Sequence, residues 1–266
     1  MRFGLIELYA NVKGLPGRMA AEAVLERIRL DGHRESTVRC SIERAKACDC
    51  EFIVAPGWTL MAVAPPKWLL ELSNGCTIVV ELLSPQEAER PQVYILHNGK
   101  RILEPAQQYV AKRNDLWKGE NLSRDAVALL YNLQERKRRW AVPGIGEALL
   151  YICGEVNIVG SGDQMREEVR RAGLREQDLR APLVINPSHT LSPLKRMRDK
   201  RAWLSQGGLL IHTANIHSGG WGRNDNKHAN ASRTAAKVWV CGQSSDKLDR
   251  QELENGCALN TFDWSP

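Results

Sequence analysis

Short apolar runs and amphipathic stretches alternate along the whole of this chain, and that alternation constrains its fold more than any other feature. Residues 3 to 8 read as a strand. Residues 19 to 30 carry helical spacing at Ala20, Ala23, Val24 and Ile28, and residues 36 to 47 continue as a second helix. Residues 52 to 55 form a short buried strand stopped by Pro56-Gly57. A helix over 68 to 73 ends at Asn74-Gly75. Strands follow at 77 to 83 and 92 to 96, and His97-Asn98-Gly99-Lys100 holds the Asn-Gly pair of a tight hairpin. Further strands are predicted at 149 to 152, 183 to 185 and 209 to 214, with a helix over 199 to 206. Residues 235 to 240 read as the last strand. Short strands separated by helices and hairpins predict an α/β fold with mixed sheets. No linker-like stretch divides residues 1 to 266, so a single domain is expected.

Composition narrows the functional classes. Hydrophobic residues make up 43% of the chain and charged ones 26%, ordinary proportions for a globular protein with a sizeable core. No apolar run approaches the roughly 20 residues that span a bilayer. The start, Met1-Arg2-Phe3-Gly4, leads into no signal-peptide pattern. A cytoplasmic location, with no membrane partner, is the expectation. Seven cysteines form an odd set without framework spacing, as expected of reduced thiols. Cys48-Asp49-Cys50 is the only close pair; it reads as the end of a helix entering a strand, and no metal is expected there. The net charge of +6 comes largely from basic runs at 134 to 140 and 195 to 201. Acidic residues are interspersed and no aromatic stacking pattern accompanies these runs. They read as solvated helix faces, not a nucleic-acid surface.

Cys153 stands out as a chemical residue. The apolar run 148 to 152 ends abruptly in Cys153-Gly154-Glu155, which sets a thiol at a strand end on a turn that glycine permits. The plainer alternative is a small core hydrophobe. Two other segments end in polar residues that could meet it. One is Pro56-Gly57-Trp58-Thr59; the other is 109 to 114, with Lys112. In α/β sheets, sites gather at the carboxyl ends of strands. A lysine there would favour the thiolate and a developing oxyanion.

The order of these segments resembles the nitrilase superfamily of carbon–nitrogen hydrolases, along nearly the whole chain. The landmarks are a strand ending in Pro56, a hairpin leading to Tyr109 and Lys112, and Cys153-Gly154-Glu155. Asn186-Pro187-Ser188, Arg201-Ala202, Ala214-Asn215 and Ser218-Gly219 follow. The resemblance implies a four-layer α-β-β-α sandwich and a Glu-Lys-Cys triad, with Cys153 as nucleophile and Lys112 supporting the tetrahedral intermediate. Glu120 falls near the family's second glutamate, while Trp58, Glu155, Asn186 and Ser188 are assigned to the substrate pocket. It further implies a small amide or carbamoyl substrate, no metal or organic cofactor, and at least a homodimer. Substrate specificity is expected in the segments 59 to 75, 117 to 145 and 217 to 234.

One position departs from the pattern. Gly57 stands where the family carries its general base, and glycine cannot accept a proton. A thiol of pKa about 8.5 is only a few per cent ionised at neutral pH, and losing a positioned base costs about 10² to 10⁴ in rate. Three accounts stand open. Residue 57 is a substitution in a working hydrolase; or the chain is a catalytically silent binding or regulatory protein; or another carboxylate, Glu7 or Glu81, serves instead. If the site is otherwise intact, Gly57→Glu should restore or raise activity. His189, His212, His217 and His228 have irregular spacings and read as core or loop histidines. Residues 219 to 224 lack the ending of a phosphate loop and read as a loop near the site mouth.

Overall fold

The computed structural model describes residues 1–11, 20–85, 90–111, 113–118, 121–160, 167–189, 195–218, 235–253 and 256–265. The first half of the chain contains β1 (Arg2–Asn11), α1 (Ala20–Leu30), α2 (Arg34–Ala47), β2 (Phe52–Val54), β3 (Leu60–Met61) and α3 (Lys67–Leu72). Then come β4 (Thr77–Leu83), β5 (Gln92–His97), β6 (Lys100–Arg101), β7 (Ala106–Gln107), β8 (Trp117–Lys118) and β9 (Asn121–Leu122). The second half adds α4 (Arg124–Gln134), β10 (Arg139–Val142), β11 (Gly146–Leu150), α5 (Glu167–Arg171), α6 (Glu176–Leu179), β12 (Leu183–Ser188) and α7 (Lys195–Leu204). It closes with β13 (Leu209–Ala214), β14 (Ile216–Ser218), β15 (Lys237–Val240), β16 (Gln243–Ser245), β17 (Asp249–Leu253) and β18 (Cys257–Asp263).

These strands build two mixed sheets, and β8 and β9 pair separately as an antiparallel ribbon. The first runs β17-β18-β1-β2-β4-β5-β6, with β14 beside β1, β3 beside β4 and β7 beside β5. The second runs β10-β11-β12-β13-β15-β16. In the first, β1, β2 and β4 are mutually parallel, and in the second so are β11, β12 and β13. Side chains alternate between faces along a strand, and here the two faces go to different cores. Phe3, Leu5, Val54 and Val79 of the first sheet pack against Ala148, Leu150, Ile185 and Ile211 of the second. The opposite face of the first sheet, with Ile6, Leu8, Ile78 and Val80, lies under Val38, Ile42 and Leu69 of α2 and α3. The outer face of the second, with Leu149, Val184 and Leu210, is covered by Leu129, Leu133 and Leu204 of α4 and α7. The layers run helix, sheet, sheet, helix.

Local chemistry fixes the ends. The β5–β6 turn has Asn98 and Gly99 both at positive φ, as a two-residue hairpin with right-handed twist requires. Ser123 caps α4 by accepting from the Ala126 N–H at 3.1 Å, a contact worth about 1 kcal/mol.

Two expectations from the sequence fail. Strand β15 is not the last; β18 follows it and pairs with β1 from Arg2↔Asp263 to Leu8↔Cys257. Its apolar run is interrupted by Asn260 and Thr261, both buried, which hides it from a hydrophobicity reading. The basic run 134 to 140 is not a solvated helix face, and in the run 195 to 201 Lys200 and Arg201 are buried too. Helix α4 stops at Gln134, Arg136 turns the chain at positive φ, and Arg138 and Arg139 enter the core region. Arg138 pairs with Glu155 and Arg139 with Glu147, so carboxylates inside the fold have drawn these cations in. Among the described residues no helix is long and apolar enough to cross a membrane.

Candidate active site

Cys153 sits on a sharp corner. The chain leaves β11, passes through Tyr151 and Ile152, and enters a 3-10 helix over Cys153–Ile158. Cys153 itself takes φ 47°, a left-handed conformation that non-glycine residues adopt at a cost of about 1–3 kcal/mol and hold mainly at functional sites. This is the elbow geometry that displays a nucleophile above its strand. The glycine beside it serves a different purpose from the one read in the sequence. Gly154 has no positive φ; instead a Cβ there would overlap the Ala111 carbonyl oxygen and lie 3.0 Å from the Ala111 Cα. Glycine is needed because segment 109–111 crosses directly over the corner.

The sulfur faces His189, the residue after the carboxyl end of β12. His189 favours the ionised sulfur from both its ring and its backbone. The other end of the ring reaches across to the first sheet, where His189 Nε2 and Glu81 Oε2 are 2.7 Å apart. A carboxylate only accepts, so Nε2 carries the proton and Nδ1 is left for the sulfur. Glu81 comes from β4, on the same face as Val79, which points between the sheets. The same Glu81 oxygen accepts from the Trp58 N–H at 2.6 Å. Trp58 stands at φ 53° and stacks on the imidazole, with ring centroids 4.2 Å apart and planes 5° from parallel. The ring is thus held at Nε2 and across one face.

Electrostatics match this geometry. Burial disfavours charge on His189, but Glu81 and then Cys153 outweigh it and hold the ring protonated up to about 10. Burial also pushes the Cys153 thiol up, yet the charge and hydrogen bonds of His189 outweigh that and bring it below the ordinary thiol value. Together the two shifts favour a thiolate–imidazolium pair backed by a carboxylate. The other buried thiols, Cys50, Cys76 and Cys257, are pushed the opposite way by burial.

Gly57 now has a physical reason. A Cβ at this position would overlap His189 Cδ2 and lie 3.0 Å from both His189 N and Ser188 C. The histidine ring fills the space in which a side chain at 57 would stand. Gly57 is pinned there, its N–H donating to Ser188 O at 3.0 Å and its carbonyl accepting from Asn215 Nδ2 at 2.7 Å. Asn215 Nδ2 also donates to His189 O at 2.8 Å, while Arg34 donates to Asn215 Oδ1 at 2.8 Å and to Trp58 O at 3.0 Å. A buried clamp thus ties the strand ends of both sheets together.

Comparison with solved structures places this architecture. No family model and no curated protein matches the sequence. The NitFhit protein of C. elegans superimposes with a TM-score of 0.50 at 15% identity, covering 98% of this chain and 60% of that one. An amidase from Nesterenkonia sp. gives 0.48 at 14% identity, over 98% and 90% of the two chains. A glutamine-dependent NAD(+) synthetase from Cytophaga hutchinsonii gives 0.49 at 12% identity, where this chain spans 42% of the length. The fold is shared with the NitFhit protein. At these identities the likeness is one of fold.

On this fold the residues singled out by sequence separate into groups. Cys153, Gly57, Trp58 and Ser188 gather at one point, where the parallel strands of the two sheets end. Lys112 and Glu120 lie outside the described residues, as do His228 and the segment 219 to 224. Glu155, assigned above to the substrate pocket, is fully buried beneath the corner. Its oxygens accept from Ile152 N at 2.8 Å, Tyr109 N at 2.9 Å and Arg138 at 2.8 and 3.0 Å. It holds the elbow and segment 109–111 together; breaking such a buried pair costs about 3–5 kcal/mol. Asn186 is likewise buried, donating to Tyr151 O at 3.0 Å and Cys153 O at 3.1 Å. Trp58 packs on the imidazole, and the Ser188 carbonyl anchors Gly57. Glu7 is committed elsewhere, to Arg250 and the Ala236 N–H. His212 is buried in β13, with Nδ1 on Asn186 O at 2.9 Å. The residue that sequence reasoning missed is His189. Its signal was present: it follows directly on Asn186-Pro187-Ser188, at a strand end, in a chain lacking a base at 57.

Proposed function

We propose that this chain is a cysteine-dependent hydrolase of a non-peptide C–N bond, of amidase or carbamoylase type, in which His189 and Glu81 do the work of a carboxylate at position 57. The observation that carries this reading is the placement of His189: in the space above Gly57, against the sulfur of Cys153 on one side and Glu81 on the other. The motif order that resembles the nitrilase superfamily supports the choice of C–N bond.

The chemistry follows from the protonation states. The Cys153 thiolate attacks the carbonyl carbon of an amide or carbamoyl group. Lys112, by its match to the family pattern, stabilises the resulting oxyanion. His189 gives its Nδ1 proton to the departing amine as the intermediate collapses to a thioester. Acylation removes the negative charge from the sulfur, and with it part of what kept His189 protonated. The ring then accepts a proton from water, which attacks the thioester, while Glu81 holds the imidazole in one tautomer throughout.

The direct test is alkylation by a small neutral haloacetamide across pH, with the adduct located by mass spectrometry. An ordinary thiol loses about tenfold in rate for each pH unit below its pKa. Cys153 is expected to lose less of its rate than an ordinary thiol at pH 6.5 and to be labelled there ahead of the exposed Cys40 and Cys241. Labelling no faster than those two would sink the reading and favour a silent binding protein. Turnover of small primary amides should in addition fall as pH rises through about 10, where His189 loses the proton it gives to the leaving group. Alkylation, which needs no acid, should not fall there.

Glu81→Gln separates the roles. Without its charge, burial of His189 prevails and the ring becomes neutral, so thiolate formation shifts to higher pH. Turnover is expected to drop by about 10² to 10³, with alkylation at pH 6.5 slowing in parallel. Unchanged turnover in the variant would show that Glu81 is only a packing residue.

A further inference from the structure

Helix α7 turns two consecutive basic residues inward, Lys200 and Arg201, which are 3% and 2% exposed. Each meets an asparagine beneath the corner that carries Cys153. Lys200 Nζ donates to Asn157 Oδ1 at 2.9 Å, and Asn157 Nδ2 donates to Gly154 O at 2.8 Å. Arg201 Nε donates to Asn186 Oδ1 at 3.1 Å, and Asn186 Nδ2 donates to Tyr151 O at 3.0 Å and Cys153 O at 3.1 Å. In both legs a cation polarises an amide, and the amide grips the carbonyls of the elbow. Such chains strengthen each bond along them.

The second leg differs from the first in its charge balance. Among the described residues no carboxylate pairs with Arg201; its guanidinium lies over Trp239, 5.7 Å from the ring centroid. A buried cation persists only where something offsets it; here Asn186 Oδ1 accepts from the guanidinium and the Trp239 ring lies beneath it. Burial pulls Arg201 down to about 10 and Cys153 works against that. His212, the titratable neighbour on β13, is kept neutral by burial first and by Arg201 second. Cys153 is accordingly faced by His189 from the end of β12, Glu81 from β4 and Arg201 from α7, with Glu155 beside it neutralised by Arg138.

We propose that Arg201 is a positioning residue for the nucleophile: through Asn186 it fixes the elbow carbonyls, and its charge stabilises the Cys153 thiolate from behind. This rests on Cys153 being the nucleophile. His189 dominates the ionisation of the sulfur, so the contribution of Arg201 is the smaller one. The Lys200–Asn157 leg holds the elbow when Arg201 is changed.

The test is the pH profile of Cys153 alkylation by iodoacetamide in Arg201→Gln, Arg201→Lys and Asn186→Asp, alongside thermal melting. In Arg201→Gln the midpoint is expected to rise by about one pH unit, so that labelling at pH 6 slows about tenfold. Arg201→Lys should recover most of that loss because the charge returns. Asn186→Asp adds a negative charge and removes the donor to Cys153 O, so it should raise the midpoint even if Arg201→Gln does not fold. Wild-type midpoints in the folded variants, with melting temperature alone reduced, would overturn the proposal and leave Arg201 as packing. Failure of wild-type Cys153 to label selectively would instead overturn the hydrolase reading.

Discussion

Replacing His189 with alanine is expected to lower kcat/KM by about 10³ to 10⁴, the largest effect of any single substitution outside Cys153 itself. Three losses coincide. The thiol loses the charge and both ring-borne and electrostatic support that bring it below the ordinary value, and burial then raises it. The leaving amine loses its proton donor. The thioester loses the base that activates water. Because one residue serves every step with Cys153, the two side chains act as a unit. Cys153→Ala and His189→Ala should cost about the same, and the double variant little more than either. Additive losses would show that His189 acts independently of the sulfur. The variant also opens a space against Trp58, into which free imidazole can fit. Partial recovery on adding imidazole to His189→Ala, with no recovery in Cys153→Ala, would locate the missing function in the ring. A rate in His189→Ala within tenfold of wild type would remove histidine from the mechanism.

The alternation of strands and helices was legible in the sequence because it is written in local patterns. Strand β4 was read with its observed ends, and the Asn98-Gly99 hairpin followed from backbone requirements that any chain obeys. Cys153 showed itself by the break between an apolar run and a polar corner. What escaped was long-range. Strand β18 finds its place only by pairing with β1, 249 or more residues earlier in the Cys257↔Leu8 register, where Asn260 Nδ2 donates to Leu5 O at 3.4 Å. Arg138 and Arg139 looked like solvent-facing charge until Glu155 and Glu147 came into reach. His189 was the same kind of miss. Its chemistry depends on Glu81, a contact 108 residues away in the chain, and on the absence of a side chain at 57. Glu81 itself was named as a candidate base, but its link to the sulfur runs through the ring. A local reading treats Gly57 and His189 as two separate facts, one a missing base and the other a loop histidine. In space they are one arrangement.

That coupling reverses the outcome expected for Gly57→Glu. On the sequence alone, installing the glutamate that the nitrilase pattern carries at this position should restore or raise activity. In the folded protein it is expected to lower turnover at least 100-fold, because the new side chain and the His189 ring cannot share the space. The backbone has no room to retreat: Gly57 is bonded to Ser188 O on one side and to Asn215 on the other, and Asn215 also holds His189 O. The ring must therefore leave its stack on Trp58 and its bond to Glu81, and Cys153 loses its partner. Gly57→Ala isolates the steric part. It adds no ionisable group, yet its Cβ meets the same atoms, so it should also lose most activity. Overpacking of this kind costs about 1–3 kcal/mol, or about 2–4 °C of melting temperature per kcal/mol in a chain of this size. The two variants should behave alike in alkylation as well, their Cys153 profiles moving toward that of an ordinary buried thiol. Full activity in Gly57→Ala, or a gain in Gly57→Glu, would mean that His189 does not occupy this space in the working protein. The base would then have to be sought elsewhere.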